Sequence, residues 1–227
     1  TATPRKNSNI ISYVDARELK KEHMVKLPVV VYNRTSRQSV IQDAIQLRGS
    51  IEQEAIAAEQ AGGAYIRPIV LFQAQPRTKD NSDTFDRIKS MLIAMGIPEE
   101  QVAVKTSDID DLKGQDLMSR TCQIRYIITV NALKEGWDCP FAYILASLAN
   151  RTSAVDVEQI LGRILRQPYA RQHQSPLLNT SYVLTNSADF HNTLEKIIAG
   201  LNKAGFSRRD YRVGESNPVP PQPAPSA

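Results

Sequence analysis

Between residues 67 and 185 the chain repeatedly reads as short, almost unbroken apolar runs. The first is Arg67-Pro68-Ile69-Val70-Leu71-Phe72, and others follow at Val102–Val104, Ile124–Val130, Ala142–Leu148 and Tyr182–Leu184. A strand with one wet face alternates apolar and polar residues. A strand without alternation is buried on both faces, as in a parallel sheet covered by helices. Helical periodicity fills several of the gaps. Phe85, Ile88, Met91, Leu92 and Met95 recur at helical spacing within 84–95. A second helix is expected over 154–166, and a third over 190–201 with Phe190, Leu194, Ile197, Ile198 and Leu201 on one stripe. Strands alternating with helices predict an α/β fold, an open, doubly wound parallel sheet with helices on both faces.

The flanks are read from the same signals. Asn9–Val14 and Pro28–Tyr32 read as strands, and Ser39–Ala61 as a long helix ended by Gly62-Gly63. Residues 1–66 are expected to lead into the domain and pack against its sheet, and 67–213 to form its core. Residues 214–227 hold Pro218, Pro220, Pro221, Pro223 and Pro225 with little to bury, and read as a disordered linker. With 227 residues, 41% hydrophobic and 23% charged, the chain can bury a core of ordinary size. No apolar run approaches the roughly 18 residues of a membrane span. The start, Thr1-Ala2-Thr3-Pro4-Arg5-Lys6, leads into no signal-type stretch, so the expected location is the cytoplasm, with no membrane partner. Thr1 in place of an initiator Met is expected of a piece of a longer chain. Cys122 and Cys139 sit in apolar settings without CxxC spacing, which suits a reducing compartment and excludes a disulfide scaffold. A net charge of +4 permits nucleic acid as a partner without requiring it.

Several chemistries lack their equipment. No glycine is followed by Lys, so there is no GxxxxGK[ST] phosphate loop, and no acidic DExH-type box appears. His23, His173 and His191 pair with no Cys or His at metal-ligand spacing, so no metal site is expected. There is no GxSxG nucleophile elbow and no GxGxxG turn, which argues against a hydrolase of that type and against a Rossmann small-molecule enzyme.

The informative helix begins near Ser153, where Ser153 and Asp156 resemble a capping box. With Gln159 at 0° and about 100° per residue, Arg163 falls at about 40° and Arg166 at about −20°. Val157, Ile160, Leu161, Ile164 and Leu165 occupy the opposite face. Gly162 flanks the polar stripe and allows another surface to approach closely. A solvated helix face normally mixes Glu and Lys. Two guanidiniums beside a Gln instead suit bidentate capture of phosphate oxygens.

A second stretch runs Thr129-Val130-Asn131-Ala132-Leu133-Lys134-Glu135-Gly136-Trp137-Asp138-Cys139-Pro140. It starts where a buried strand ends, and open α/β sheets hold ligands beyond the carboxyl ends of their strands. Gly136, the Asp138 carboxylate and Pro140 offer flexibility, an acceptor for ribose hydroxyls and rigidity. The same residues equally fit a surface turn between two strands.

Together the two stretches resemble the second RecA-like domain of superfamily-two helicases. Thr129 to Pro140 resembles motif V, and Gln159-Ile160-Leu161-Gly162-Arg163-Ile164-Leu165-Arg166 resembles motif VI, whose QxxGRxxR pattern is specific at superfamily level. Pro68-Ile69-Val70-Leu71-Phe72-Gln73 resembles motif IV. The text from Ile127 to Pro140 is most similar to the restriction subunit of type III restriction enzymes, and the resemblance spans residues 9–212. It implies a RecA-like parallel sheet that closes on ATP and Mg with a first RecA-like domain of the same parent, which brings the phosphate loop and the acidic box. It further implies Arg166 as the arginine finger, Arg163 as a second phosphate or interdomain contact and Gln159 as a γ-phosphate sensor. Asp138 with Gly136 would sit near the ribose and the interdomain seam, and Gly162 would be a further nucleotide-binding position. Thr129, Gln73, Lys105 and Thr106 would face the nucleic-acid backbone, DNA by this resemblance with RNA also open. A modification subunit is a further implied partner.

Motifs I and II are missing from the sequence, so the chain alone is expected to be inactive toward ATP. Asp15 with Glu18 and Lys20, and Asp108 with Asp111 and Lys113, imitate the acidic-x-Lys core of nucleases, but such spacings arise easily by chance. A RecA-like module that had lost its ATP coupling is the rival reading. It predicts decay of motif VI, whereas Gln159, Gly162, Arg163 and Arg166 are all present.

Overall fold

The computed structural model describes residues 16–75, 84–130, 138–148, 164–186, 192, 195, 198–199, 202 and 205–214. Its elements in chain order are α1 (Ala16–Lys21), β1 (Val29–Asn33), α2 (Arg37–Gln60), β2 (Ile69–Gln73), α3 (Phe85–Ala94), β3 (Val102–Lys105), β4 (Tyr126–Thr129), β5 (Ala142–Ser147), β6 (Ser181–Thr185) and β7 (Tyr211–Val213). The strands form one seven-stranded sheet in the order β3-β4-β2-β5-β6-β1-β7. Every pairing is parallel.

The apolar runs become strands for the expected reason. All residues of β2, β4, β5 and β6 are buried. A parallel sheet with both faces covered has no wet side to require alternation. α2 lies across β2, β5 and β6, and α3 lies against β4. α2 buries Val40, Ile41, Ala44, Leu47, Ile51 and Ala55 at helical spacing. The Ser36 hydroxyl caps its start by accepting from the Ser39 amide at 3.0 Å. Its end is the expected glycine pair. Gly62 takes φ +89, and a β-carbon on Gly63 would meet the Ala58 carbonyl oxygen at 2.6 Å. α3 buries Ile88 and Leu92, with Phe85, Met91 and Met95 packed beside them.

Two features depart from the sequence pattern. The segment expected to lead into the core supplies it with an internal strand: β1 lies between β6 and β7, with Val31 opposite both Val183 and Val213. Strand order in a parallel sheet is set by crossovers, so chain order does not reveal which strand is internal. β7 itself has no apolar pattern. It is mostly exposed and is placed by its register with β1, by the Gly214 amide donating to the Val31 carbonyl at 2.8 Å, and by a turn in which Asp210 accepts from the Ser207 amide at 2.6 Å. Of the helix expected over 190–201, Asn192, Glu195, Ile198 and Ala199 are described and helical, as is Asn202 just beyond it. The strand expected at Asn9–Val14, most of the helix expected at 154–166 and all but Gly214 of the proline-rich tail lie outside the described residues.

The loop between β3 and β4 hangs on one buried cation. Arg67, 1% exposed, donates from Nε to the Ile124 carbonyl at 3.0 Å, from Nη1 to that of Ser119 at 2.7 Å and from Nη2 to that of Leu117 at 2.5 Å. A planar fork reaches three spread carbonyls from three nitrogens in fixed directions, whereas an ammonium gathers its three donors on one atom. Arg67→Met leaves these carbonyls buried and unpaired, at about 1–3 kcal/mol each. The expected loss in urea unfolding is about 3 kcal/mol or more, with little recovery in Arg67→Lys. A loss within 1 kcal/mol, about the range of a surface substitution, would show that the loop does not depend on this side chain.

Candidate functional site

The sequence-derived candidates separate onto the two ends of the sheet. At the carboxyl ends of the strands a polar row crosses six strands in register. Lys105 stands opposite Thr129, Thr129 opposite Gln73, Gln73 opposite Ser147, Ser147 opposite Thr185, and Thr185 opposite Asn33. Gln73, Thr129, Ser147 and Thr185 are buried. The Ser147 hydroxyl donates to Gln73 Oε1 at 2.9 Å. The Gln73 and Thr129 main-chain carbonyls accept from the amides of Leu148 at 3.0 Å and Ala74 at 2.8 Å. Lys105 pairs with Asp110, whose carboxyl is held below the usual range by that ammonium. Thr106 Oγ1 accepts from the amides of Asp108 at 3.2 Å and Ile109 at 3.1 Å and shapes the turn. Asp111, one of the nuclease-like carboxylates, accepts from the Val104 amide at 2.8 Å. Ser147, Thr185 and Asn33 were not singled out from sequence. The signal was there: each ends its strand with a polar residue, as Gln73 and Thr129 do.

Asp138 and Arg166 sit at the opposite edge. Ala142 opens β5 opposite Ile69, the first residue of β2, and the Ile69 amide donates to the Phe141 carbonyl at 2.8 Å. Asp138 therefore precedes the amino end of a strand. The expectation that it lies at a carboxyl end is corrected: Thr129 ends β4 at the carboxyl edge, whereas Asp138 stands before β5 at the amino edge. The helical stripe is corrected at its end too. Ile164 is helical, but Arg166 forms an isolated antiparallel bridge with Val25. Pro168 disfavours a helical residue before it and lacks the amide a helix would use. The strand-like segment around Val25 captures the freed backbone, with the Lys26 amide donating to the Leu165 carbonyl at 2.6 Å and the Gln167 amide to that of Met24 at 2.9 Å. Arg166 nonetheless reaches Asp138: Nη1 donates to Oδ2 at 2.6 Å, with the side chains 60% and 40% exposed. Gln159, Gly162, Arg163 and Gly136 lie outside the described residues.

A residue not foreseen from sequence holds this pair in place. Lys26 is 0% exposed. Its Nζ donates to the Pro140 carbonyl at 2.9 Å and to the Arg166 carbonyl, and lies 4.6 Å from the Tyr143 ring centre. The Ser181 hydroxyl, at the start of β6, lies 3.2 Å from the carbonyls of both Lys26 and Ile164 and shares its one proton between them. Lys26 thus ties the segment carrying Asp138 to the segment carrying Arg166. Burial brings its ammonium down to about 7, against the opposing pull of Cys139 and Asp138. Burial also pushes the neighbouring Cys139 thiol up to about 12, so no thiolate is present to balance a charge on Lys26 at neutral pH. A neutral amine keeps two N–H donors, enough for the two carbonyls. A lone Lys before Leu-Pro has no periodic signature, so nothing in the sequence pointed to it.

The backbone beyond Arg166 is unusual. Tyr169 and Ala170 take φ 60 and φ 46, consecutive non-glycine residues in the left-handed region. Such residues cost about 1–3 kcal/mol each and persist where surrounding contacts over-determine them. Here the Tyr169 hydroxyl donates to the Tyr65 carbonyl at 2.7 Å, and its ring meets Phe141 edge-on at 6.2 Å between centroids. Among the described residues no three His, Cys, Asp or Glu side chains converge on a possible metal position, and no helix is long and apolar enough to cross a membrane.

No protein-family model and no curated protein matches the sequence. Solved structures do. The type ISP restriction-modification enzyme LlaBIII, bound to DNA, aligns over 88% of this chain and 16% of its own length at 12% identity, with a TM-score of 0.50. The fold is RecA-like. Domain 2 of a DEAD-box helicase bound to an RNA duplex aligns over 84% of this chain and 65% of its own at 13% identity, TM-score 0.48. A fragment assigned as the HsdR subunit of a type I restriction enzyme from Vibrio vulnificus aligns over 90% of this chain and 40% of its own at 16% identity, TM-score 0.48. The chain therefore spans a small part of LlaBIII and less than half of the HsdR fragment. At these identities the likeness is one of fold.

The Lys26 clamp makes stability depend on pH in a defined direction. Between about 7 and the ordinary value of 10.5 the folded chain binds fewer protons at this position than the unfolded chain, so its contribution rises with pH. Lys26→Met removes that dependence. The stability difference, wild type minus variant, is expected to grow from about pH 7 to about pH 10 by up to about 1.4 kcal/mol per unit. Urea unfolding across that range measures it, and a difference that stays flat or shrinks would mean that Lys26 remains charged in the fold.

Proposed function

We propose that this chain is the second RecA-like motor domain of an ATP-dependent DNA helicase or translocase resembling the type III restriction subunits. In this reading residues 67–213 carry the motor motifs, the preceding segment adds β1 and α2 to the same core, and 214–227 form a linker. It works in the cytoplasm on DNA, beside a first RecA-like domain that holds most of ATP and Mg, and with a modification subunit as a further partner. Arg166 acts as the arginine finger, with Arg163 and Gln159 beside it, and Asp138, Gly136 and Gly162 line the nucleotide edge. Lys105 and Thr106 serve the nucleic-acid backbone at the other edge, and Thr129 and Gln73, buried in register with Lys105, support that edge.

The observation that supports this reading is the exposed Arg166–Asp138 pair at the edge of a RecA-like sheet. Exposed ion pairs are worth about 0–1 kcal/mol, whereas hydrogen bonds to charged groups reach about 1.5–3 kcal/mol. A phosphate arriving from the partner domain outcompetes Asp138 for the guanidinium. The carboxylate thus parks the finger without trapping it, and the backbone beneath stays fixed by Lys26. A guanidinium brought to the γ-phosphate stabilises charge spreading over the transferring group.

Two outcomes are expected. The chain alone releases phosphate from ATP at a negligible rate, with or without DNA, because its sequence holds no phosphate loop. Mg-dependent turnover above about 1 s⁻¹, near the low end for ordinary enzymes, would point to an unrecognised site. Joined to its first RecA-like domain, Arg166→Ala is expected to lower DNA-stimulated hydrolysis by at least about 10²-fold. The melting temperature should hardly change, since an exposed side chain leaves no cavity. Arg166→Lys should restore little. Steady-state kinetics and thermal melts on the same preparations decide it; normal turnover in Arg166→Ala removes this residue from the mechanism.

A further inference from the structure

Segments 138–141 and 166–169 lie side by side and are joined at both ends. Asp138 pairs with Arg166 at 2.6 Å, and Phe141 meets Tyr169 edge-on at 6.2 Å between centroids. Roughly 10 Å of extended chain at most separates Arg166 from Tyr169. With both side chains exposed, Arg166 and Tyr169 can therefore be reached by one nucleoside triphosphate.

Tyr169 is built for presentation rather than burial. It remains 46% exposed although its ring is fixed by the hydroxyl bond to the Tyr65 carbonyl and by the edge of Phe141. A strained turn of two left-handed residues holds it there. The exposed Arg171 guanidinium lies 5.7 Å from the Tyr169 ring centre. Arg120, which also pairs with Glu59, lies 4.5 Å from the ring centre of Tyr65. A pre-ordered aromatic face beside guanidiniums is the surface on which nucleobases stack, because every base has a π-face and both partners attract it.

We infer that Tyr169 is the stacking platform for the base of the nucleotide whose phosphates reach Arg166. This rests on the reading of the Asp138–Arg166 pair as a nucleotide edge, and adds the residue that receives the base. Arg171 lies over the ring and moves aside or stacks over the base when the base binds. Tyr65 and Phe141 position Tyr169 without touching the ligand.

Adenosine and inorganic tripolyphosphate separate the two halves of the site. Each is titrated into the ¹⁵N-labelled chain while the amides of Phe141, Ala170 and Arg171 are followed. Adenosine is expected to shift these amides saturably in wild type and in Tyr169→Phe. Tyr169→Leu keeps apolar bulk but loses the π-face, and should bind adenosine about 5- to 100-fold more weakly while its spectrum stays dispersed. Arg166→Ala should leave the adenosine response unchanged and remove the tripolyphosphate response. Absence of adenosine shifts in wild type overturns the inference, as does equal binding by Tyr169→Leu. So does a single-stranded oligonucleotide that shifts these amides where adenosine does not. A missing tripolyphosphate response with intact adenosine binding strikes instead at the role of Arg166 and leaves the platform standing.

Discussion

The site at the amino edge of the sheet depends on one buried nitrogen. Lys26 Nζ serves the carbonyls of Pro140 and Arg166, and its own backbone bonds to Leu165 and Ser181. Three stretches distant in sequence thereby become one frame. The energetics are lopsided in a useful way. Buried carbonyls without partners are costly, so the frame is held firmly. The Asp138–Arg166 pair it supports is exposed and cheap to break. A rigid base carrying a loosely parked guanidinium is what an arginine needs if it is to meet a phosphate without reorganising its own backbone.

The all-parallel sheet then divides the chemistry. Every strand runs the same way, so every loop entering a strand gathers at one edge and every loop leaving one gathers at the other. Asp138, Arg166 and Tyr169 precede β5 or β6 and share the entering edge. Lys105, Thr129, Gln73, Ser147, Thr185 and Asn33 end their strands and share the leaving edge. In the proposed motor one edge faces nucleotide and the other faces DNA, and the rigid strands between them are the mechanical link. The motif V-like stretch joins the two, beginning at Thr129 on one edge and arriving at Asp138 on the other.

Legibility followed burial. The apolar runs at 69–72, 126–128, 142–146 and 182–184 could be read as strands because burial on both faces leaves a composition with no alternation. α2 and α3 were legible because one buried stripe imposes helical spacing. β7 was not, since an exposed three-residue strand carries no pattern and takes its place from its neighbour. Lys26 was not legible for the opposite reason: an isolated Lys ordinarily signals surface, and only its enclosure by Pro140, Tyr143 and Arg166 makes it interior.

The amino-acid sequence by itself determined the fold class and singled out Asp138 and Arg166 as candidates, because periodicity and residue type act locally and along the chain; that the two pair is decided by the fold. The sequence could not determine that β1 is internal, that Asp138 stands at the amino edge, or that the backbone leaves the helix before Arg166. Tertiary structure decided those. They depend on which carbonyls find donors once distant segments meet, and on the crossovers that fix strand order. For the same reason Tyr169 is one more tyrosine in the sequence, and an exposed ring braced by Tyr65 and Phe141 only in the folded chain.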